Sequence, residues 1–153
     1  MARIKIGDIV EIKTSKGVAY ALYTHRHQQY GALLRVFGRI HEVAPNDLIT
    51  ATDGEPAFSV FFPLSAAVNK KIVSIVDNIS VPPSLKPFPT FRTGVVDPST
   101  GKVGTWWLWD GEKEWRLGTL KPEHRKLSFR GICNDTFLIE LLETGWTPEN
   151  DPR

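Results

Sequence analysis

The chain has 153 residues, 41% hydrophobic and 24% charged, a composition that suits one globular domain over 1–153 and argues against general disorder. Nineteen Lys plus Arg against seventeen Asp plus Glu leave a formal net charge of +2, too small to point to nucleic acid. The single cysteine, Cys133, cannot form an intramolecular disulfide, the start carries no secretory pattern, and no stretch reaches the ~18 apolar residues of a membrane span, so a soluble cytoplasmic protein is expected.

Ile4 to Lys13 reads as a strand with a bend at Gly7-Asp8, and Thr14-Ser15-Lys16-Gly17 as a turn. Val18 to His25 is a second strand. Arg26 to Gly31 is a polar connection, and Ala32 to Phe37 is a third strand. Three short strands in succession predict an antiparallel meander, a common start to a small barrel or strongly bent sheet. Pro45 and Asn46 can open a short helix with Asp47 in its first turn. Phe58 to Phe62 is a buried strand, Pro63 to Val68 one or two helical turns, and Ile72 to Val76 a further strand.

Ser80 to Thr90 contains Pro82, Pro83, Pro87 and Pro89, so it cannot be a regular helix or a central strand. Val81, Leu85, Phe88 and Phe91 anchor it, which predicts an extended crossing packed on the surface rather than a linker. Phe91 to Val96 reads as a strand, Asp97 to Gly101 as a turn, and Lys121 to Lys126 as polar with one helical turn begun at Pro122. Asn134, Asp135 or Thr136 can cap a helix that runs to Glu143 or Thr144 and ends at Gly145. Phe137, Leu138, Ile139, Leu141 and Leu142 cover most of its circumference, so it is expected to be largely buried.

Trp106-Trp107-Leu108-Trp109-Asp110-Gly111-Glu112-Lys113-Glu114-Trp115-Arg116-Leu117 carries four of the five tryptophans around an Asp-Gly turn, the mark of a β-hairpin. A two-residue turn pairs Trp109 with Glu112 and Trp106 with Trp115. A four-residue loop pairs Trp109 with Glu114 and Leu108 with Trp115. Both put Trp106, Leu108, Trp115 and Leu117 on one face, expected to be core, and Trp107 and Trp109 on the other with Glu112, Glu114 and Arg116. Trp107 and Trp109 are then covered by the terminal helix or the Pro-rich crossing, or stand free as partner anchors. The fold expected is mainly β (α+β): an antiparallel, strongly bent sheet or small barrel built from meanders and hairpins, with one C-terminal helix packed on it.

Catalytic signals are weak. His25 and His27 at i and i+2 project from one face of a strand and are the best candidates for a metal or an acid/base pair, with Arg26 or Arg35 beside them for an anion. His41, His124 and Cys133 show no metal-site spacing, and no nucleophile elbow, H-E-x-x-H, Walker loop or dinucleotide fingerprint is present. The expectation is no enzyme, no metal and no cofactor.

Ile6-Gly7-Asp8-Ile9-Val10, Phe58-Ser59-Val60-Phe61-Phe62-Pro63-Leu64, Pro87-Phe88-Pro89-Thr90-Phe91-Arg92, Trp106-Trp107-Leu108-Trp109-Asp110-Gly111 and Asp135-Thr136-Phe137-Leu138-Ile139-Glu140 together resemble the bacterial immunity protein 26 family, over most of the chain. The resemblance implies a mostly β intracellular protein that binds and neutralises a cognate polymorphic toxin stoichiometrically, with no catalytic residue and no mapped toxin-binding surface. Candidate contacts are His25, His27, Gln28, Gln29 and Tyr30 between strands, the acidic stretch Glu42, Asp47, Asp53 and Glu55, and the aromatics Trp107 and Trp109. A β-barrel adaptor for a protein or peptide and a small His-dependent hydrolase or nuclease are the alternatives. Neither membrane nor nucleic acid is expected as a partner, and the oligomeric state is not legible.

Overall fold

Residues 3–153 are described by the computed structural model, and its first three strands form the predicted meander. They are β1 (Asp8–Thr14), β2 (Gly17–His27) and β3 (Gly31–His41). β1 begins after Gly7 rather than at Ile4. Gly7 has φ +98°, and a Cβ there would lie 2.2 Å from the Ile79 carbonyl oxygen, so only glycine fits the bend. Its N–H donates to the Tyr23 carbonyl at 2.7 Å and its own carbonyl accepts from Ile79 N–H at 2.9 Å.

The rest follows as α1 (Leu48–Ala51), β4 (Phe58–Phe62), α2 (Leu64–Asn69) and β5 (Val73–Asn78). Then come β6 (Phe91–Thr93), β7 (Val96–Asp97), β8 (Lys102–Val103), β9 (Trp106–Trp109), β10 (Glu114–Gly118) and α3 (Asp135–Thr144). Asp47 is the N-cap of α1, one place before its first turn, and accepts from Ile49 N–H at 3.0 Å. The single strand expected over Phe91–Val96 is split into β6 and β7. The Pro-rich crossing contains a 3₁₀ turn at Pro83–Leu85, because Pro at the first helical position gives up only an amide that has no partner there.

Two antiparallel sheets carry the fold, in the orders β4-β3-β2-β1-β5 and β10-β9-β6, beside a two-stranded β7-β8 ribbon. The five-stranded sheet stays open rather than closing into a barrel. Strand alternation sorts its side chains cleanly. Val10, Ile12, Ala19, Ala21, Tyr23, Leu34, Val36, Val60 and Phe62 face one way, into the main core. Ile9, Tyr20, Leu22 and Phe37 face the other way, where Leu85 of the Pro-rich crossing covers them.

α3 packs on the main-core face, against β1 and β3. Asn134 caps its start, accepting from Phe137 N–H at 2.8 Å, and Gly145 ends it in the left-handed region at φ +67°. Leu138, Leu141 and Leu142 are buried, but Phe137 is 50% exposed, so the helix is amphipathic rather than largely buried. It does not cover the Trp hairpin. Its C-terminal end is tied instead to the β1–β2 turn, where Glu143 accepts from the Ser15 N–H and hydroxyl.

Residues 128–133 join the two sheets. Arg92 N–H donates to the Ser128 carbonyl at 2.9 Å, and Arg130 N–H donates to the Arg92 carbonyl at 3.0 Å, which lays this run along the outer edge of β6. Cys133 N–H donates to the Phe61 carbonyl at 2.8 Å, and Ser59 N–H to the Ser128 hydroxyl at 2.8 Å, which lays it along the outer edge of β4. One short segment thus satisfies an edge of each sheet. Between the sheets, Leu33, Phe61, Phe91 and Trp109 form a separate small core.

Candidate functional site

The hairpin takes the four-residue loop. Glu114 lies opposite Trp109, Trp115 opposite Leu108 and Arg116 opposite Trp107, with a bulge before Gly118. Asp110 shapes the turn, accepting from Glu112 N–H at 3.0 Å and Lys113 N–H at 2.8 Å. Gly111 sits at φ +100°, and a Cβ there would be 2.8 Å from the Phe88 ring. The two faces hold as predicted as far as Arg116, but the bulge then sets Gly118 rather than Leu117 opposite Trp106, Leu117 is only half-buried, and the burial of the tryptophans differs from expectation. Trp106 and Leu108 are core, whereas Trp115 is 42% exposed because β10 is the edge strand of its sheet. On the opposite face Trp109 is 6% exposed and Trp107 38% exposed. What covers Trp109 is the Pro-rich crossing, through Phe88, together with Phe61 and Phe91; Trp107 is left uncovered.

His25 and His27 do share a face: both rings rest against Phe88. Each is engaged at both nitrogens. His27 Nδ1 accepts from the Gln29 and Tyr30 N–H groups at 3.0 and 3.1 Å, so Nε2 carries the hydrogen and donates to the Gly111 carbonyl at 2.8 Å. His25 Nε2 donates to the Lys86 carbonyl at 2.7 Å, and its Nδ1 meets the Thr24 hydroxyl at 2.8 Å. That hydroxyl also accepts from Arg35 Nε at 3.1 Å. Arg35 then reaches the carbonyls of Leu85 and Pro87 at 3.3 and 3.0 Å. Three successive carbonyls of the crossing are therefore held by one arginine and one histidine. Burial pushes the His25 imidazole below its ordinary value and brings the Arg35 guanidinium down to about 10. These side chains organise the Pro-rich crossing and the hairpin turn. Gln28 and Gln29 stand exposed on the β2–β3 turn, and Tyr30 stacks on Phe61.

The acidic stretch is brought together. Asp47, Asp53 and Glu55 line one concavity of about 450 Å³ at the end of β3, with Phe37, Arg39, His41 and Thr50. All three carboxylates are exposed. Hydrogen bonds from Thr50 and Ile49 hold Asp47 below the usual carboxylate range, so it stays charged. Glu42 is exposed but does not line the concavity. Against three negative groups the lining sets Arg39, with His41 pushed down by burial and by Arg39. The concavity is thus acidic near neutral pH. Arg39 and His41 were missed as lining residues, because the return of residues 47–57 to the end of β3 has no local signal.

Arg35 did carry a signal: it interrupts the apolar run Ala32 to Phe37, and a charge inside a buried strand requires partners. Arg92, which the sequence marks only as the end of the 87–92 motif, is fully buried. Its Nε donates to the Leu127 carbonyl at 3.1 Å and one terminal nitrogen to the Pro148 carbonyl at 2.6 Å, while its carbon Cζ lies 4.3 Å from the Phe129 ring centre. Beside it, Asp151 is buried yet held well below the carboxylate range by hydrogen bonds from Arg153 and Trp146.

Among the described residues no three His, Cys, Asp or Glu side chains gather as a metal site, and no helix is long and apolar enough to cross a membrane. Comparison with known proteins finds no matching family model, no matching curated protein and no matching solved structure.

Proposed function

We propose that this protein is an immunity protein that binds a cognate polymorphic toxin and neutralises it by stoichiometric inhibition. The reading starts from the resemblance of the Trp-rich turn and its companion motifs. The observation that carries it further is the acidic concavity, where Asp47, Asp53 and Glu55 present exposed carboxylates around one opening of about 450 Å³. A surface of this kind suits a basic patch on a partner, since complementary charge steers encounter and fixes orientation. The toxin it suits best is one with a basic active-site rim, such as a nuclease. The histidines support the same direction, because the pair that a hydrolase would use is spent on backbone carbonyls.

Co-expression with the toxin encoded in the adjacent reading frame tests the proposal. Cells carrying both should survive, and the two proteins should co-purify at equal stoichiometry. Death of cells regardless of this protein would remove the reading.

A protein- or peptide-binding adaptor is the second reading. It is favoured by a groove of about 500 Å³ between α3 and residues 129–133, lined by Val60, Ile132, Phe137 and Leu141, in which Ile132 and Phe137 are more than half-uncovered or half-uncovered at 62% and 50%. Absence of any protection on co-expression, together with binding of an apolar peptide from a display library that Phe137→Glu abolishes and Asp53→Lys with Glu55→Lys leaves intact, would favour the adaptor reading.

A further inference from the structure

β10 is a terminal strand, and among the described residues no strand pairs with its outer edge. The direction of its backbone groups follows from its neighbours. Arg92 turns both its N–H and its carbonyl away from β9, toward Ser128 and Arg130. In an antiparallel ladder this makes Arg92 and Leu108 a non-hydrogen-bonded pair, so Leu108 bonds to Trp115 on its other side. Trp107 and Trp109 in turn bond to Thr93 and Phe91. Their partners on β10, Arg116 and Glu114, must then point N–H and C=O outward. The bond from Asp110 N–H to the Lys113 carbonyl has the same phase.

The free edge therefore offers two residues with unsatisfied backbone directions, Glu114 and Arg116, on either side of Trp115. This triplet is complementary to itself. If a second strand of the same sequence runs antiparallel with Trp115 facing Trp115, each Glu114 lies opposite an Arg116. The backbone phase is correct for this register, because Trp115 turns inward and the two charged residues turn outward. We propose that the protein forms a two-fold symmetric dimer through the β10 edge, centred on Trp115, which joins the two three-stranded sheets into one of six strands.

Three features of this edge favour a second copy over an unrelated strand. The charge pairing of Glu114 with Arg116 is met twice by the symmetry, and opposite charges across a ladder stabilise it while like charges do not. The paired tryptophans, each 42% exposed in the single chain, would face one another at the close spacing of a non-hydrogen-bonded pair. Arg116 has no ion-pair partner among the described residues, whereas Glu114 has only a long one, 3.7 Å from Arg130. The terminal strand β5 of the larger sheet carries no such pattern in Val73-Ser74-Ile75-Val76-Asp77-Asn78, and the terminal strands β4 and β6 are bordered by residues 128–133.

Sedimentation velocity of the whole chain over a concentration series tests the proposal. A reversible monomer–dimer equilibrium is expected. Arg116→Glu and Glu114→Arg each set like charges opposite one another twice, and each should raise the dissociation constant roughly tenfold or more. The double variant Glu114→Arg/Arg116→Glu restores the pairing in reversed order and should recover to within a few-fold of the native value. Arg116→Pro removes an outward N–H without touching the bonds to β9 and should leave a folded monomer. Amide exchange adds a direct reading: the Glu114 and Arg116 amides should gain protection as concentration rises. A chain that stays monomeric at ~1 mM, where even a millimolar association would already show, overturns the proposal. So does a dimer indifferent to the charge variants, one not recovered by the double variant, or one that leaves those two amides unprotected.

Discussion

His27 Nε2 donates to the Gly111 carbonyl at 2.8 Å, across 84 residues of sequence. The contact pins the tip of the Trp hairpin to the end of β2, and Nδ1 of the same ring closes the β2–β3 turn. One imidazole therefore sets the position of two turns that come from different sheets. His27→Phe should keep the packing on Tyr30, Phe61 and Trp109 but leave the Gly111 carbonyl and two amides without partners. A loss of about 2–3 kcal/mol in denaturant-measured stability is expected.

Gly111→Ala acts on the same joint from the other side. It places a Cβ at positive φ and against the Phe88 ring. The expected cost is about 1–3 kcal/mol. Because Phe88 covers Trp109, the tryptophan emission should shift to the red as well.

Arg92 gives a third expectation. Arg92→Met fills the same volume but strands the Leu127 and Pro148 carbonyls. A loss of about 3 kcal/mol is expected. Amide exchange should rise first at Trp146 to Arg153, since Pro148 is one of the anchors of that segment. Arg92→Lys should rescue little, because an ammonium cannot reach two divergent carbonyls with a planar fork.

The pH dependence has a definite sign. Burial lowers the His25 imidazole below 6.5, and burial with Arg39 lowers His41. In the unfolded chain both take up protons at higher pH than in the folded one. Their contribution is complete above about pH 6.5 and is lost as pH falls through the lower folded values. Stability should therefore decline with acidification below that point. His25→Gln should flatten part of the slope, as read from urea midpoints at pH 7.5, 6.5 and 5.5.

The acidic concavity allows function and stability to be separated. Asp53→Lys with Glu55→Lys changes exposed side chains, so denaturant-measured stability should hold to within about 0.5 kcal/mol, while under the proposed function protection against the toxin should fall. Asp47→Ala should cost about 1 kcal/mol by removing the α1 cap, so it is a poor probe of binding.

The meander was legible because Thr14-Ser15-Lys16-Gly17 and Gly31 are turn chemistry set between alternating strands. α3 was legible from its caps, Asn134 and Gly145. What could not be read was which element lies at an edge. Trp115 has the same local pattern as Trp106, yet one is exposed and the other buried, because Trp115 lies on the edge strand β10 whereas Trp106, on the central strand β9, packs against Phe129 and the Arg92 guanidinium. The same limit hid the seat of α3. Its Leu138, Leu141 and Leu142 match any apolar sheet face, and the choice of β1 and β3 over the hairpin is made by the tie of Glu143 to Ser15 and by the route of residues 128–133. Candidate surface residues were recognisable by charge, but their gathering into one concavity depends on a chain reversal with no local signature.

The run 128–133 that borders both sheets also sets an order of assembly. Until it and α3 are made, β4 keeps an open edge and the face bearing Val10, Ile12, Ala21 and Leu34 is covered only by α2, through Leu64 and Ala67. At ribosomal speed, residues 128–144 take about 1–3 s to synthesise. During that interval the nascent chain exposes much of an apolar sheet face, so its need for a chaperone should fall abruptly once α3 docks.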